Sequence, residues 1–266
     1  MLKIVLMGTC RLHDPINSII GNISVLNEKN PSFVHNTKEI IQRINYFKGT
    51  YKYKKVLRSY QIKNNSVGLR NGVRLSDIDF FLIEISSRKM ITFEGHYLQW
   101  NNTINSIKKL DVDYSKIWIN SLHNSLKQNL ENCAIITKNI SSEIPKEDNE
   151  IISFLCAGTQ SFIDLNLDML KIKKLTNGKC IFVTHVDVQN SSGHNIPPRV
   201  KLIENITSFC IDNDIFFINP TDMLLSIGQE QMMDSKGLSV NHYNPEILDK
   251  IGQFFLNQLN DIKNRI

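Results

Sequence analysis

Four short runs of apolar residues divide the chain, and each run ends at polar or turn-forming residues. They read KIVLMG (3–8), DFFLIEI (79–85), CIFVTHV (180–186) and IFFINP (215–220). These runs are rich in Ile, Val and Phe, a composition that favours β-strands. Because the apolar residues are continuous, each strand is expected to be covered on both faces, as in a parallel sheet.

Helical periodicity separates these strands. The segment HNTKEIIQRINYF opens with Asn36 and Glu39 in a capping-box spacing, and apolar residues then recur at helical intervals. Asp14 and Pro15 are predicted to be the N-cap and first residue of the helix that follows the first strand. Further helices are predicted for TQSFIDLNLDMLKIKKL, PPRVKLIENITSFCIDN and NPEILDKIGQFFLNQLNDI. The alternation predicts an α/β fold in three layers, α/β/α, with a central parallel sheet.

The middle of the chain, about 95–160, is less regular. YLQWNNTINSIKKL and KIWINSLHNSLKQNLENC have helical patterns, whereas SSEIPKEDNE has the composition of an exposed loop. We therefore expect one α/β domain over residues 1–266, with a helical insertion or cap at about 95–160 that covers the site.

Composition limits the class of protein. The 266 residues are 41% hydrophobic and 21% charged, as in a soluble globular protein. No stretch approaches the roughly 20 apolar residues of a membrane span, and the N-terminus lacks the features of a signal peptide, so a cytoplasmic location is expected. The basic residues neither cluster on one helix nor alternate with exposed aromatic residues, which argues against nucleic acid as a partner.

Chemically active side chains are concentrated where the predicted strands end. Cys10 lies in the turn after the first strand, where a helix N-terminus and the neighbouring Arg11 would favour its thiolate; a buried, inert cysteine is the alternative. His242 lies in a loop before the last helix, which Asn244 caps, and an imidazole there can act as a general base; a surface histidine is the alternative. Five cysteines without a CxxC pair argue against a disulfide framework and a thiolate zinc site.

The order of these elements resembles the SGNH, or GDSL, hydrolase family, whose topology is flavodoxin-like. Gly8-Thr9-Cys10 stands where that family has Gly-Asp-Ser, so Cys10 occupies the nucleophile position. In DFFLIEISSRK, Ser86 and Arg88 stand at the Gly and Asn of the family's Gly-x-Asn-Asp motif, and His242 fits the catalytic histidine with Ser239 at the aspartate position. The phrases GTCRLHDP, FVHNTKEIIQ, EISSRK and NHYNPE are similar to cysteine-bearing SGNH-like proteins of bacterial surface-polysaccharide gene sets.

The resemblance implies acyl transfer by an esterase, thioesterase or O-acyltransferase through a Cys10–His242 pair and a thioester intermediate. Arginine at the family's asparagine position suits an anionic substrate or coenzyme A as acyl donor, and no cofactor is required. Asp234 or a backbone carbonyl is the expected orienting group for His242. Other candidates for oxyanion or substrate binding are Arg11, Ser86, Arg88, His185 and Arg199, and His13 and His35 are candidates for lining the cleft.

Two other functions remain open at this point. A degenerate SGNH-like protein could bind a glycan or partner without turnover, because the usual aspartate and oxyanion residues are replaced. A metal-dependent hydrolase would need His13, His35, His185, Asp187 and His242 to converge, although no two of them have a ligand-pair spacing such as HxxxH. The acyl donor, the acceptor, whether a small molecule or a glycan, and the oligomeric state stay undetermined by the sequence.

Overall fold

The structure is a computed structural model that divides into two compact units, which are described separately. The parallel-sheet unit comprises Met1–Asn27, Leu69–Ser87 and Leu170–Ile266, and the antiparallel-sheet unit comprises Glu28–Gly68 and Arg88–Met169. The structure describes residues 1–27, 33–62, 68–110, 116, 134–135, 150–152, 154–237 and 239–266.

The parallel-sheet unit contains, in the part of the chain that the structure describes, a sheet of five parallel strands. They are β1 (Leu2–Met7), β2 (Ile23–Val25), β3 (Phe80–Glu84), β8 (Cys180–Val183) and β9 (Phe217–Ile218). Their spatial order is β2-β1-β3-β8-β9, which is the flavodoxin-like order 2-1-3-4-5. Ile4 pairs with Phe80 and Phe81 pairs with Cys180, so buried strands adjoin each other in the centre of the sheet. The predicted parallel α/β sheet is therefore confirmed.

The helices of this unit include several that contribute buried apolar residues to its core. They are α1 (Cys10–Ser18), α5 (Phe162–Leu175), which begins in the other unit, α6 (Pro197–Asp212), α7 (Thr221–Ile227), α8 (Gln229–Met232) and α9 (Leu248–Lys263). Short 3-10 turns lie at Leu75–Asp77, Ser235–Gly237 and Pro245–Ile247. Asn244 accepts a hydrogen bond from Glu246 N at 3.0 Å, so the predicted cap is present, although a 3-10 turn precedes α9.

The first helix begins earlier than the sequence predicts. Asp14 and Pro15 were expected to start it, but α1 starts at Cys10, with Thr9 as the preceding residue and Pro15 inside the helix. Leu12 N and His13 N donate to Thr9 O, both at 3.1 Å, so the chain turns into the helix directly after Gly8. This correction places Cys10 in the first helical turn and Asp14 one turn further along the same face.

Close packing of α1 against α9 depends on Gly252. A Cβ atom at Gly252 would overlap Pro15 O and lie 2.9 Å from Cγ2 of Ile19. Ile16, Ile251 and Phe255 are buried in the core of this unit. The glycine therefore allows the two helices to lie closer together than any residue with a side chain at this position would allow.

The antiparallel-sheet unit has its own sheet and core. Its described elements are α2 (Thr37–Phe47), a 3-10 turn (Lys55–Leu57), α3 (Arg58–Gln61), β4 (Lys89–Phe93), β5 (His96–Leu98), α4 (Trp100–Leu110), β6 (Ala134–Ile135) and β7 (Cys156–Thr159). Among these residues the strands form a four-stranded antiparallel sheet in the order β5-β4-β7-β6. Asn36 accepts from Glu39 N at 3.0 Å, as its predicted capping role requires.

The predicted insertion at about 95–160 falls within this unit. The helix expected in YLQWNNTINSIKKL corresponds to α4, whereas the sheet was not predicted from the sequence. The helix expected in KIWINSLHNSLKQNLENC and the loop expected in SSEIPKEDNE lie outside the described residues, apart from Lys116 and Glu150. Across the described residues, no helix combines the length and apolar character needed to cross a bilayer.

Candidate active site

Cys10 lies where β1 meets α1 in the parallel-sheet unit. It is the first residue of α1, so its backbone N–H is among those that helix geometry leaves without an intrahelical acceptor. The preceding turn is tight: a Cβ atom at Gly8 would lie 2.7 Å from Cβ of Glu84 and 2.9 Å from its Oε2. Glycine at position 8 is therefore what lets the turn pass over the end of β3.

Glu84 is the buried anion beneath this turn, with 1% of its surface exposed. Thr9 donates to Glu84 Oε2 from both its backbone N and its Oγ1, at 2.7 Å each. Arg11 donates to Oε1 from Nε at 2.9 Å and from Nη2 at 2.8 Å. Burial alone would raise the pKa of Glu84, but the charge of Arg11 and these hydrogen bonds outweigh burial and lower it below its usual value. Glu84 is therefore an ionised carboxylate.

His242 is carried by a loop that is closed at its base. Met233 and Tyr243 form an antiparallel bridge, and Asp234 N donates to His242 O at 3.0 Å. Ser239, at the position of the family's aspartate, accepts a hydrogen bond from His242 N at 3.0 Å. The result is a distance of 3.5 Å between His242 Nδ1 and Cys10 Sγ, within hydrogen-bonding range for sulfur.

A cavity of about 190 Å³ opens beside the thiol and the imidazole. Its lining residues are Cys10, Arg11, Asp14, Asp234, His242, Tyr243, Pro245 and Leu248. Burial raises the pKa of Tyr243, which therefore remains a neutral phenol. Residues that are far apart in sequence thus converge on one small cavity within the parallel-sheet unit.

The resting state of Cys10 is the thiol. Burial raises its pKa, and the carboxylates of Asp14 and Glu84 raise it further. Arg11 lowers the pKa through its charge and its backbone N–H, as expected from the sequence, but the net shift is upward. Arg11 therefore favours the thiolate, as expected, but burial and the neighbouring carboxylates outweigh its effect on the pKa of Cys10.

We expect the alkylation of Cys10 by iodoacetamide to keep accelerating above pH 9, since only the thiolate reacts and the pKa lies above the ordinary value of about 8.5. Mass spectrometry of the Cys10 peptide across pH 6–10 measures this rate, with reduced glutathione as the reference thiol. In urea, the midpoint of the pH dependence of alkylation should return to the ordinary pKa of a cysteine. A plateau below pH 8 in the folded protein would show a preformed thiolate and contradict the electrostatic account.

Asp14 interacts electrostatically with His242. Burial raises the pKa of Asp14, while the charge of His242 lowers it. Both side chains line the cavity, and Asp14 follows Cys10 by one helical turn. Asp234, the acid expected from the sequence, also lines the cavity, and its backbone N–H holds His242 O. Two carboxylates are thus available to respond to a charge on the imidazole.

Arg199 and His185 lie near this site in the same unit. Arg199, from α6, donates to Val240 O at 2.7 Å and to Oδ1 of Asn241 at 3.3 Å. Burial and the charge of Arg11 lower the pKa of Arg199 to about 10. His185 is buried and donates from Nδ1 to Val186 O at 3.0 Å. Burial and the two arginines hold its pKa well below its usual value, so this ring is neutral.

The other predicted site residues are placed as follows. His13 is buried on α1, and Ser86 is half-buried after β3. Arg88 belongs to the antiparallel-sheet unit, where it donates to Gln160 O at 2.7 Å and its guanidinium lies 3.9 Å from the centroid of the Phe162 ring. His35 belongs to the same unit and accepts a hydrogen bond from Gln99. Substrate-binding and cleft-lining roles for these residues stay predictions.

Sequence reasoning missed Glu84 and the interaction of Asp14 with His242. A signal for Glu84 was present, because a carboxylate inside the apolar run DFFLIEI is seldom buried without a partner.

The metal hypothesis finds no support in geometry: among the residues that the structure describes, no three or more His, Cys, Asp or Glu side chains are grouped as metal ligands.

Fold and site together define a parallel α/β protein of flavodoxin-like strand order with a thiol–imidazole pair at the carboxyl ends of its strands. Residues 2–258 match the family described as the TviD N-terminal domain, and the chain belongs to that family. The Vi polysaccharide biosynthesis protein TviD of Salmonella typhi is 25% identical over 261 residues, which cover 94% of this chain and 31% of that protein. The chain thus spans about a third of the length of this curated relative. This match agrees with the predicted resemblance to proteins of polysaccharide gene sets.

Two solved structures are similar at low identity. A catalytic mutant of Axe2, an acetylxylan esterase from Geobacillus stearothermophilus, is 8% identical, with 97% of this chain and 93% of that chain covered and a TM-score of 0.35. An arylesterase-like protein from Agrobacterium tumefaciens is 11% identical, with 98% and 100% covered and a TM-score of 0.31. At these TM-scores neither likeness bears on the function.

Proposed function

We propose that this protein is an acyl-transfer enzyme, a hydrolase or O-acyltransferase, that forms a thioester on Cys10. The observation that carries the proposal is the 3.5 Å distance between Cys10 Sγ and His242 Nδ1 beside a cavity at the strand ends. A thiol and a base in contact are the minimum requirement for covalent acyl chemistry.

The first half-reaction uses His242 as a general base. Because the thiol is protonated at rest, His242 accepts its proton as Sγ attacks the carbonyl carbon of the acyl donor. The C–S bond forms, and the tetrahedral intermediate then expels the leaving oxygen or sulfur, which takes the proton from His242. Asp14, whose charge interacts with His242, stabilises the imidazolium between these two transfers.

The oxyanion of the tetrahedral intermediate needs preorganised donors. The backbone N–H of Cys10 is available at the start of α1, where the helix dipole also favours negative charge. Arg88 remains the sequence-based candidate for a second donor. The guanidinium of Arg11 has a different task, since its described hydrogen bonds go to Glu84 and to Asn241 O.

The second half-reaction transfers the acyl group to water or to a sugar hydroxyl. His242 takes the proton of the attacking hydroxyl as the C–O bond forms. The C–S bond then breaks, and Sγ takes the proton from His242, which restores the thiol of Cys10. The name of the Salmonella typhi relative supports a glycan as the acceptor. Coenzyme A thioester is the proposed donor, and the chemistry requires no resident cofactor.

The direct test is to trap the acyl-enzyme. The protein is incubated with acetyl coenzyme A or p-nitrophenyl acetate, quenched in acid and analysed by mass spectrometry. We expect the added mass of one acyl group on the Cys10 peptide, removed by neutral hydroxylamine and absent from Cys10→Ala. Binding of oligosaccharides without any adduct from thioesters or esters would instead identify a binding protein that has lost turnover.

A further inference from the structure

Glu84 connects the turn that carries the nucleophile with the loop that carries His242. Its Oε2 accepts both hydrogen bonds from Thr9, whereas its Oε1 accepts both from Arg11. The remaining arm of Arg11, Nη1, donates to Asn241 O at 3.1 Å. A continuous chain of hydrogen bonds therefore runs from the residue before Cys10 to the residue before His242.

The contact at Asn241 fixes the backbone of His242 itself. Asn241 C=O and His242 N–H belong to the same planar peptide group. Arg11 holds the carbonyl of this group at 3.1 Å, and Ser239 Oγ holds its N–H at 3.0 Å. Because both ends of the plane are held, the direction in which His242 leaves the backbone is set.

The side chains that form this chain of hydrogen bonds are buried. Arg11 is 8% exposed and Glu84 is 1% exposed, and two donors of the planar guanidinium meet the carboxylate. Arg199 holds the same loop independently through Val240 O and Oδ1 of Asn241. The loop is thus supported by two arginines from different helices, but only Arg11 also connects it to the nucleophile turn.

We propose that Arg11 and Glu84 are positioning residues that hold His242 at hydrogen-bonding distance from Cys10. The expected effect on acyl turnover rests on the proposed function. The expected effect on the alkylation rate of the Cys10 thiol does not. Arg11 acts through His242 and does not contact the acyl group. Its contribution must therefore vanish when the imidazole is absent.

The informative variant is Arg11→Lys. Lysine keeps the positive charge beside Glu84 but cannot contact Glu84 and Asn241 O together with a planar fork. We expect kcat to fall about 10-fold to 100-fold with KM within about twofold, since displacement of a catalytic group by about 1 Å has effects of this size. Arg74→Lys is the matched control, because the side chain of Arg74 is 82% exposed and forms an ion pair with Asp77 at 3.6 Å.

A double-mutant cycle distinguishes positioning from general stabilisation. The rate of Cys10 alkylation at pH 7.5 is measured for the wild type, Arg11→Lys, His242→Ala and the double variant. We expect each single change to slow alkylation and the double variant to react at the rate of His242→Ala. Effects that multiply in the double variant would overturn the positioning role.

A second pair of variants acts from the other end of the chain of hydrogen bonds and leaves every charge in place. Thr9→Val removes the hydroxyl that donates to Glu84 Oε2, whereas Thr9→Ser keeps it. We expect slower alkylation and lower kcat in the first and recovery in the second. Equal behaviour of the two would count against the connection through Glu84. If the double variant reacts at the rate of His242→Ala but the protein has no acyl turnover, only the proposed function is refuted. If the two effects multiply in a protein that does turn over acyl donors, only the positioning role is refuted.

Discussion

Cys10→Ala is expected to reduce acyl turnover by at least about 10³-fold, because it removes the sulfur on which the proposed thioester forms. His242→Ala should cost about 10²-fold to 10⁴-fold, the usual contribution of a general base, with the upper end expected because the resting thiol is protonated. Asp14→Asn should cost only about 10-fold, since Asp14 acts on the charge of His242 and not on the substrate.

Steady-state hydrolysis of p-nitrophenyl acetate, followed at 1 mM or below, measures all three effects. Cys156→Ala is the matched control, because Cys156 is also a half-exposed cysteine but lies on β7 in the antiparallel-sheet unit. Thermal unfolding confirms that each variant is folded at the assay temperature. Turnover that is unchanged in Cys10→Ala and in His242→Ala would contradict the covalent mechanism.

Gly252→Ala is expected to destabilise the protein by about 2 kcal/mol, although alanine is the better helix former by about 1 kcal/mol. The added methyl group would overlap Pro15 O, which is backbone and cannot rotate away, and would crowd Ile19. Separation of α1 from α9 would also move Cys10, at the start of α1, so activity should fall together with stability.

Urea denaturation measures this loss as a lower midpoint with an unchanged slope. Gly21→Ala is the control, since a Cβ atom at Gly21 meets nothing within 4 Å. It should change the free energy of unfolding by no more than about 0.5 kcal/mol. Equal stability of the two variants would show that α1 and α9 do not depend on this close approach.

The sequence predicted the parallel sheet because its central strands are buried on both faces and therefore appear as continuous apolar runs. β2 was missed, since its pairing with β1 covers only three residues, too few for a pattern to be read. β4 was missed for another reason. In KMITF only Ile91 and Phe93 are buried, and this alternation in an antiparallel strand differs from the continuous runs that identified the other strands.

The start of α1 shows how a local rule can mislead. Asp followed by Pro is a frequent helix opening, and nothing in the sequence indicates that the helix has already begun at Cys10. The tight turn is possible because Gly8 has no side chain to collide with Glu84, a residue far from it in the sequence. Such a contact depends on the register of β1 against β3, which one sequence does not display.

The candidate site was also predictable only in part. Cys10 and His242 could be paired from the sequence, because both lie where strands end or a helix begins. The contacts that hold them could not be predicted: Glu84 was not singled out, and Arg11 and Arg199 were predicted only as groups that bind the oxyanion or the substrate. Their hydrogen bonds to backbone carbonyls, such as those of Val240 and Asn241, leave no trace in residue identity.

The raised pKa of Cys10 has a consequence for oxidation. Peroxides attack thiolates, so a cysteine that rests as a thiol is converted slowly to sulfenic acid. In the proposed mechanism, acyl donors react by a route in which His242 takes the proton of the thiol as Sγ attacks the carbonyl carbon. We therefore expect peroxide to oxidise Cys10 more slowly than it oxidises a cysteine that is held as a thiolate.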